Sequence, residues 1–120
     1  MSERPYILVV DDDVPILVLM RNLLKEFGFH PITAENGHKA VEAVRETRPA
    51  LVLLDKNIPG SESDEVIRLL RSEPGCDGIP ILILSGERLT QSEVTALGAN
   101  DAVQKPFDVT ALVQQIRRYV

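Results

Sequence analysis

Between Ala50 and Asp55 the sequence reads Ala-Leu-Val-Leu-Leu-Asp, an unbroken apolar run that meets a single carboxylate. Lys56, Asn57, Ile58 and the turn dipeptide Pro59-Gly60 follow it. A continuous apolar run of strand length, bounded by turn residues, fits a strand covered on both faces, as in a parallel sheet. Ligands of open parallel sheets bind outside the carboxyl ends of the strands. The run therefore predicts that Asp55 is delivered to a crevice at that edge.

The same pattern recurs along the chain. Tyr6 to Val10 is apolar and ends in Asp11, Asp12 and Asp13; Ile79 to Leu84 ends in Ser85-Gly86. Two weaker segments, Phe29 to Ala34 with Pro31 inside it and Asp101 to Gln104 ending in Lys105-Pro106, suit sheet edges. Between these runs the apolar period changes to that of helices. Ile16, Leu19, Met20, Leu23, Leu24 and Phe27 predict one inward stripe, with Asp13 as cap, Pro15 in the first turn and Gly28 at the end. Ala40, Val41 and Val44 mark a second helix opened by Asn36-Gly37; Val66, Ile67, Leu69 and Leu70 mark a third near Asp64 to Ser72. Thr90 and Glu93 form a capping box for a fourth, and Asp108 caps a fifth with Val109, Leu112, Val113 and Ile116 inward. Alternation of five strands with five helices predicts a doubly wound (βα)5 α/β fold with helices on both faces. With the weak second and fifth strands at the edges, the expected order is 2-1-3-4-5, the flavodoxin-like arrangement.

The chain of 120 residues is the length of one domain, and residues 1–120 are expected to form a single unit with no output domain. A net charge of -5 argues against direct nucleic-acid binding by this segment. One cysteine, Cys76, excludes an intrachain disulfide and suits a reducing, cytoplasmic setting. The polar start, Met1 to Pro5, does not read as a signal peptide, and no apolar stretch approaches the roughly 20 residues of a membrane span. His30 and His38 lack metal-ligand spacing to the cysteine or to each other.

The strand ends carry the chemistry. The first strand supplies Asp11 and Asp12, the third Asp55, the fourth Ser85 and the fifth Lys105. Carboxylates brought together raise one another's pKa unless a cation is present, and oxygen ligands with open positions suit Mg²⁺ (or Mn²⁺). A lysine and a hydroxyl facing such a cluster suit phosphoryl transfer onto a carboxylate.

Four pieces in order carry a resemblance: Val9-Val10-Asp11-Asp12, Leu54-Asp55 with Ile58-Pro59-Gly60, Leu84-Ser85-Gly86, and Lys105-Pro106-Phe107. The chain resembles the receiver domain of the response regulator family of two-component signalling, over essentially its whole length. The resemblance implies that Asp55 is phosphorylated from the phosphohistidine of a sensor kinase or histidine phosphotransfer protein. It implies Mg²⁺ held by Asp12, Asp55 and the Asn57 carbonyl, with Asp11 acting through water. Ser85 and Lys105 would contact the phosphoryl group, and the Lys105-Pro106 bond would be cis. It also implies a signalling phosphoacceptor rather than an enzyme, with only self-catalysed phosphotransfer and autodephosphorylation. A downstream protein would bind the face made by the fourth helix, fifth strand and fifth helix, with phosphorylation-dependent homodimerisation among the expectations. Lys56 and Glu87, beside the site, are candidates for tuning phosphoryl lifetime or partner choice, or are plain solvated loop residues.

Three departures bear on output. The family usually has an aromatic residue three positions before the lysine, where this chain has Ala102. Ile58 replaces the usual Met before the proline, and Ser61-Glu62-Ser63-Asp64 makes a usually apolar position acidic. With Ala102, loop movement from Ser85 to Thr90 is expected to carry the switch in place of ring burial. Two other readings compete. Asp11-Asp12-Asp13 loosely resembles the Asp-x-Asp motif of haloacid-dehalogenase-like phosphohydrolases, with Asp11 as nucleophile and Asp13 as general acid. The alternative binding module of the same fold would be a flavin binder, or a receiver that signals without phosphorylation. No Ser/Thr/Gly-rich phosphate loop follows the first strand to favour the flavin.

Overall fold

The computed structural model describes residues 4–120; the reading of the first three residues of the polar start lies outside them. Five strands, β1 (Tyr6–Val10), β2 (His30–Ala34), β3 (Leu51–Asp55), β4 (Ile81–Ser85) and β5 (Asp101–Gln104), form one parallel sheet in the order β2-β1-β3-β4-β5. Helices α1 (Val14–Glu26), α2 (Gly37–Thr47), α3 (Ser63–Ser72), α4 (Gln91–Leu97) and α5 (Val109–Arg117) make the connections. This is the expected doubly wound fold, with β2 and β5 at the edges.

Period-two alternation in doubly covered strands sorts the core into two layers. Ile7, Val9, Leu51, Leu53, Leu82 and Leu84 face Leu17, Met20 and Leu24 of α1 and Leu112, Val113 and Ile116 of α5. Leu8, Val10, Val52, Leu54, Ile81 and Ile83 face Ala40 and Val44 of α2 and Val66, Ile67 and Leu70 of α3. Leu89 and Leu97, flanking or ending α4, pack against that second layer. Every residue of β3 and β4 is buried, as unbroken apolar runs require.

The caps lie where the sequence puts them. The side chains of Asp13, Asn36 and Asp108 accept backbone amides of α1, α2 and α5, and Thr90 with Glu93 closes a reciprocal capping box on α4. Gly98 ends α4 at φ 88°, a left-handed conformation that costs glycine nothing; a Cβ there would stand 3.2 Å from Ile67 Cγ2. After β3 the chain turns through Pro59 and Gly60 (φ 79°), closed by Ser61 N donating to Ile58 O at 3.1 Å. That is the pattern of a type II turn.

Two helix faces differ from the expected stripes. In α1 the buried line is Leu17, Met20 and Leu24, while Leu19 is 52% exposed; in α3 Leu69 is 45% exposed. The apolar arc of each helix is wider than the strip its neighbours cover, and the crossing of helix over sheet chooses which part is buried. Cys76, in the loop after α3, is a free thiol buried in the α2–α3 layer.

Candidate functional site

Strand order reverses between β1 and β3, so their connections leave to opposite sides and open a crevice at the carboxyl edge. Asp11 is the first residue past β1, held by its amide donating to Ala34 O at 3.1 Å. Its side chain is almost fully enclosed, and Oδ1 accepts the Asp13 amide at 3.0 Å. Asp12 is exposed beside it. Asp55 ends β3 opposite Leu84 and keeps 8% of its surface in solvent. Its Oδ1 accepts the Asn57 amide at 3.1 Å, and its Oδ2 accepts Lys105 Nζ at 3.3 Å.

Lys105 reaches the crevice because β5 ends beside β4: the Lys105 amide donates to Ser85 O at 2.7 Å, and the Lys105-Pro106 bond is cis. Nζ lies 3.6 Å from Asp11 Oδ2 as well, one ammonium between two buried carboxylates. Ser85 is buried, its Oγ accepting the Glu87 amide at 3.0 Å. Asp11, Asp12, Asp55, Ser85 and Lys105 are thus brought to one edge, as the sequence predicts. Asn57 stands next to Asp55 in the exposed loop.

Charge is unbalanced within this group. Carboxylate oxygens of Asp11, Asp12 and Asp55 all lie within 4.8 Å of one another. Asp11 Oδ2 is buried without a hydrogen-bond partner among the described residues. Burial pushes the Asp11 carboxyl above its ordinary pKa; the Asp13 amide opposes this, and the neighbouring Asp55 charge adds to it. A buried carboxylate oxygen with an unused lone pair, facing two other carboxylates, is a donor set that fits a hard divalent cation.

The flanking residues divide. Lys56 and Glu87, which follow adjacent strands, reach toward each other across the crevice mouth with Nζ 3.8 Å from Oε2. Their opposite signs just past neighbouring strand ends were the sequence signal for that pair. Ala102 pairs with Ile83 in the sheet, and its carbonyl accepts Gln115 Nε2 at 3.0 Å. Pro106 lies on the opposite flank, in a shallow groove with Ile16, Leu19 and Leu23 of α1. One network was not foreseen: Arg71 donates to the carbonyls of Gly98, Asp77 and Ile79 and to Asn100 Oδ1, tying α3 to the loops before β4 and β5.

A family model, the response regulator receiver domain, matches residues 7–117. The DNA-binding response regulator MtrA of Mycobacterium tuberculosis (strain ATCC 25618 / H37Rv) is 40% identical over 116 residues, 95% of this chain and 50% of that protein. The phosphate regulon transcriptional regulatory protein PhoB of Escherichia coli (strain K12) is 35% identical over 113 residues, 92% of this chain and 49% of that protein. The chain therefore spans about half the length of the curated relatives it matches. Among solved structures, the chemotaxis protein CheY4 of Vibrio cholerae superposes with a TM-score of 0.92 at 26% identity, covering 98% of this chain and 100% of the other. The N-terminal domain of a receiver protein from Methanoculleus marisnigri JR1 is 32% identical, with a TM-score of 0.78 and 98% of each chain covered. The chain belongs to the response regulator family and is a receiver domain, the phosphoacceptor module of two-component signalling.

Proposed function

We propose that Asp55 is the phosphoacceptor, taking the phosphoryl group from the phosphohistidine of a sensor kinase or histidine phosphotransfer protein. The observation that carries this is the setting of Asp55: a buried strand-end carboxylate that keeps a small part of its surface in solvent, whose Oδ2 is 3.3 Å from Lys105 Nζ. A carboxylate oxygen of Asp55 attacks phosphorus while the phosphorus–nitrogen bond breaks, and the imidazole nitrogen leaves with that electron pair. Lys105 holds the acceptor oxygen in place and neutralises charge that grows on the phosphoryl oxygens. Ser85 Oγ, held by the Glu87 amide, keeps its hydroxyl proton to donate to a phosphoryl oxygen.

Asp11, Asp12, Asp55 and the carbonyl of Asn57 are the groups assigned to a divalent cation, Mg²⁺ or Mn²⁺. When bound, the cation neutralises the clustered carboxylates and draws in phosphoryl oxygens. Support comes from the unpartnered Asp11 Oδ2 and the mutual closeness of the three carboxylates. The hydrolase reading finds less support. Asp11 is almost fully enclosed, so it is poorly placed to attack, and Asp13 Oδ1 is committed to the Ile16 amide as a helix cap.

Phosphorylation replaces the single charge of the Asp55 carboxylate by a phosphoryl group carrying about two, a net gain of about one negative charge at this edge. We assign the response to the segment from Ser85 to Thr90, whose Leu89 packs into the second core layer, and through it to the α4–β5–α5 face for a downstream partner or a second receiver. Ala102 has no ring to bury. The half-exposed Val14, Val18 and Leu19 beside the crevice give a phosphodonor protein an apolar place to sit.

The test is intact mass after incubation with acetyl phosphate, with and without Mg²⁺, for wild type, Asp55→Asn and Asp11→Asn. One Mg²⁺-dependent phosphoryl addition that Asp55→Asn abolishes is the expected result. Undiminished addition to Asp55→Asn would move the acceptor elsewhere.

A further inference from the structure

Away from the crevice's Ser85 side, α2 and α3 frame a groove of about 350 Å³. Its floor is apolar, made by Val41 of α2 and Val66 and Leu69 of α3. Leu69 is nearly half-exposed, which leaves part of a large aliphatic side chain of α3 on the surface. One rim is acidic. Glu62 and Glu65 line it, both exposed, and neither joins an ion pair among the described residues. His38 also lines the groove, and its Nε2 lies 2.9 Å from Glu42 Oε1 one turn along α2.

The groove is part of the fold, not a gap between loosely packed helices. A Cβ at Gly37 would come within 2.9 Å of Val66 Cγ2, so the start of α2 can approach α3 only because residue 37 has no side chain. The floor is thereby fixed between two helices that are anchored by Ala40, Val44, Ile67 and Leu70 in the core. The far end of the groove opens along Pro59 and Gly60 onto the loop that carries Asn57.

We infer that this groove is a docking site for a partner protein segment that presents an aliphatic side chain flanked by lysine or arginine. Charge complementarity selects that occupant. An anionic segment would meet Glu62 and Glu65 at the rim, and a purely apolar one would leave both carboxylates partly desolvated and unpaired. A cationic flank pairs them while the aliphatic group covers Leu69 and Val41. The site is separate from the α4–β5–α5 face, from the α1 patch of Val14, Val18 and Leu19 and from the crevice carboxylates, so it gives the domain a further contact surface.

The experiment is amide chemical-shift mapping of the ¹⁵N-labelled chain, with Mg²⁺ present. The probe is a short blocked peptide alternating lysine and leucine, with a glutamate–leucine peptide as the opposite-charge control. Expected are saturable shifts at Gly37, Gly60, Ser61 and Leu69 with the lysine peptide, absent with the control. The Glu62→Gln/Glu65→Gln double variant should bind about fivefold more weakly, the loss of two exposed ion pairs. Leu69→Ala, whose spectrum elsewhere reports that the fold is intact, should weaken binding as well. Shifts centred on the Asp11–Asp55 crevice or scattered over the acidic surface would overturn the inference. So would equal binding of the two peptides, or affinity indifferent to both variants.

Discussion

Replacing Asp11 by asparagine should make the cation-free protein more stable while removing its response to Mg²⁺. Asparagine keeps the Oδ1 that accepts the Asp13 amide at 3.0 Å, so the turn into α1 survives. What changes is Oδ2, a buried oxygen with no hydrogen-bond partner among the described residues, whose nearest described cation is Lys105 Nζ at 3.6 Å. Lys105 is one-third exposed, so losing that attraction costs about 0.5 kcal/mol. Relieving an unsatisfied buried carboxylate oxygen contributes about 2 kcal/mol or more, and the new NH2 can donate toward Asp55. The second effect wins, leaving a net gain of about 1.5 kcal/mol, or a Tm rise of about 5 °C.

The sign depends on pH. Burial raises the Asp11 pKa in the folded state, so the folded protein binds more protons than the unfolded chain above the ordinary carboxylate pKa of about 3.9. Wild-type stability therefore falls as pH rises from that point through the raised folded value. The variant's advantage should be present at neutral pH and vanish below about pH 3.9. Thermal unfolding with and without Mg²⁺ checks both halves, since a ligand at a hundred times its Kd adds about 2.7 kcal/mol to the state that binds it. A variant that is less stable than wild type without cation, or that gains as much from Mg²⁺, would refute the reasoning.

Lys105→Met should slow phosphoryl uptake from acetyl phosphate about a hundredfold, as removal of one aimed charge donor does; a rate within a factor of two of wild type would count against its assigned role. Lys56→Ala should shorten the phosphoryl lifetime by about threefold, because the pair with Glu87 that spans the crevice mouth is lost; dephosphorylation followed by intact mass reads this out. Arg71→Met should cost about 2 kcal/mol in urea unfolding, since three loop carbonyls and Asn100 lose a charged donor together. A loss under about 0.5 kcal/mol would show that water replaces Arg71 at little cost.

The strands were readable because burial on both faces forces continuous apolar runs, and Asp55, Ser85 and Lys105 could be placed because parallel strands deliver their last residues to one edge. The helix ends were readable from single side chains: Asp13, Asn36, Asp108 and the Thr90–Glu93 pair each bond a nearby amide. Which part of an apolar arc is covered was not. On α1 the line through Leu17, Met20 and Leu24 is buried and Leu19 exposed, because the packing of the helix on the sheet decides which side of the wide apolar arc is covered. Arg71 carries no sequence signal that singles it out, since its partners are mostly backbone carbonyls that sequence does not locate. The contrast between enclosed Asp11 and exposed Asp12 was equally hidden, for two neighbouring aspartates read alike until the loop's path from β1 to α1 is known.

The central claim is that Asp55 carries the phosphoryl group, and borohydride trapping tests it most directly. The reagent reduces an acyl phosphate to an alcohol and leaves free carboxylates unchanged, so peptide mass mapping then locates the modified residue. After incubation with acetyl phosphate and Mg²⁺, the account predicts reduction at Asp55 alone. Reduction at Asp11 or Asp12, or a wild-type chain that yields no reduced aspartate, would contradict it.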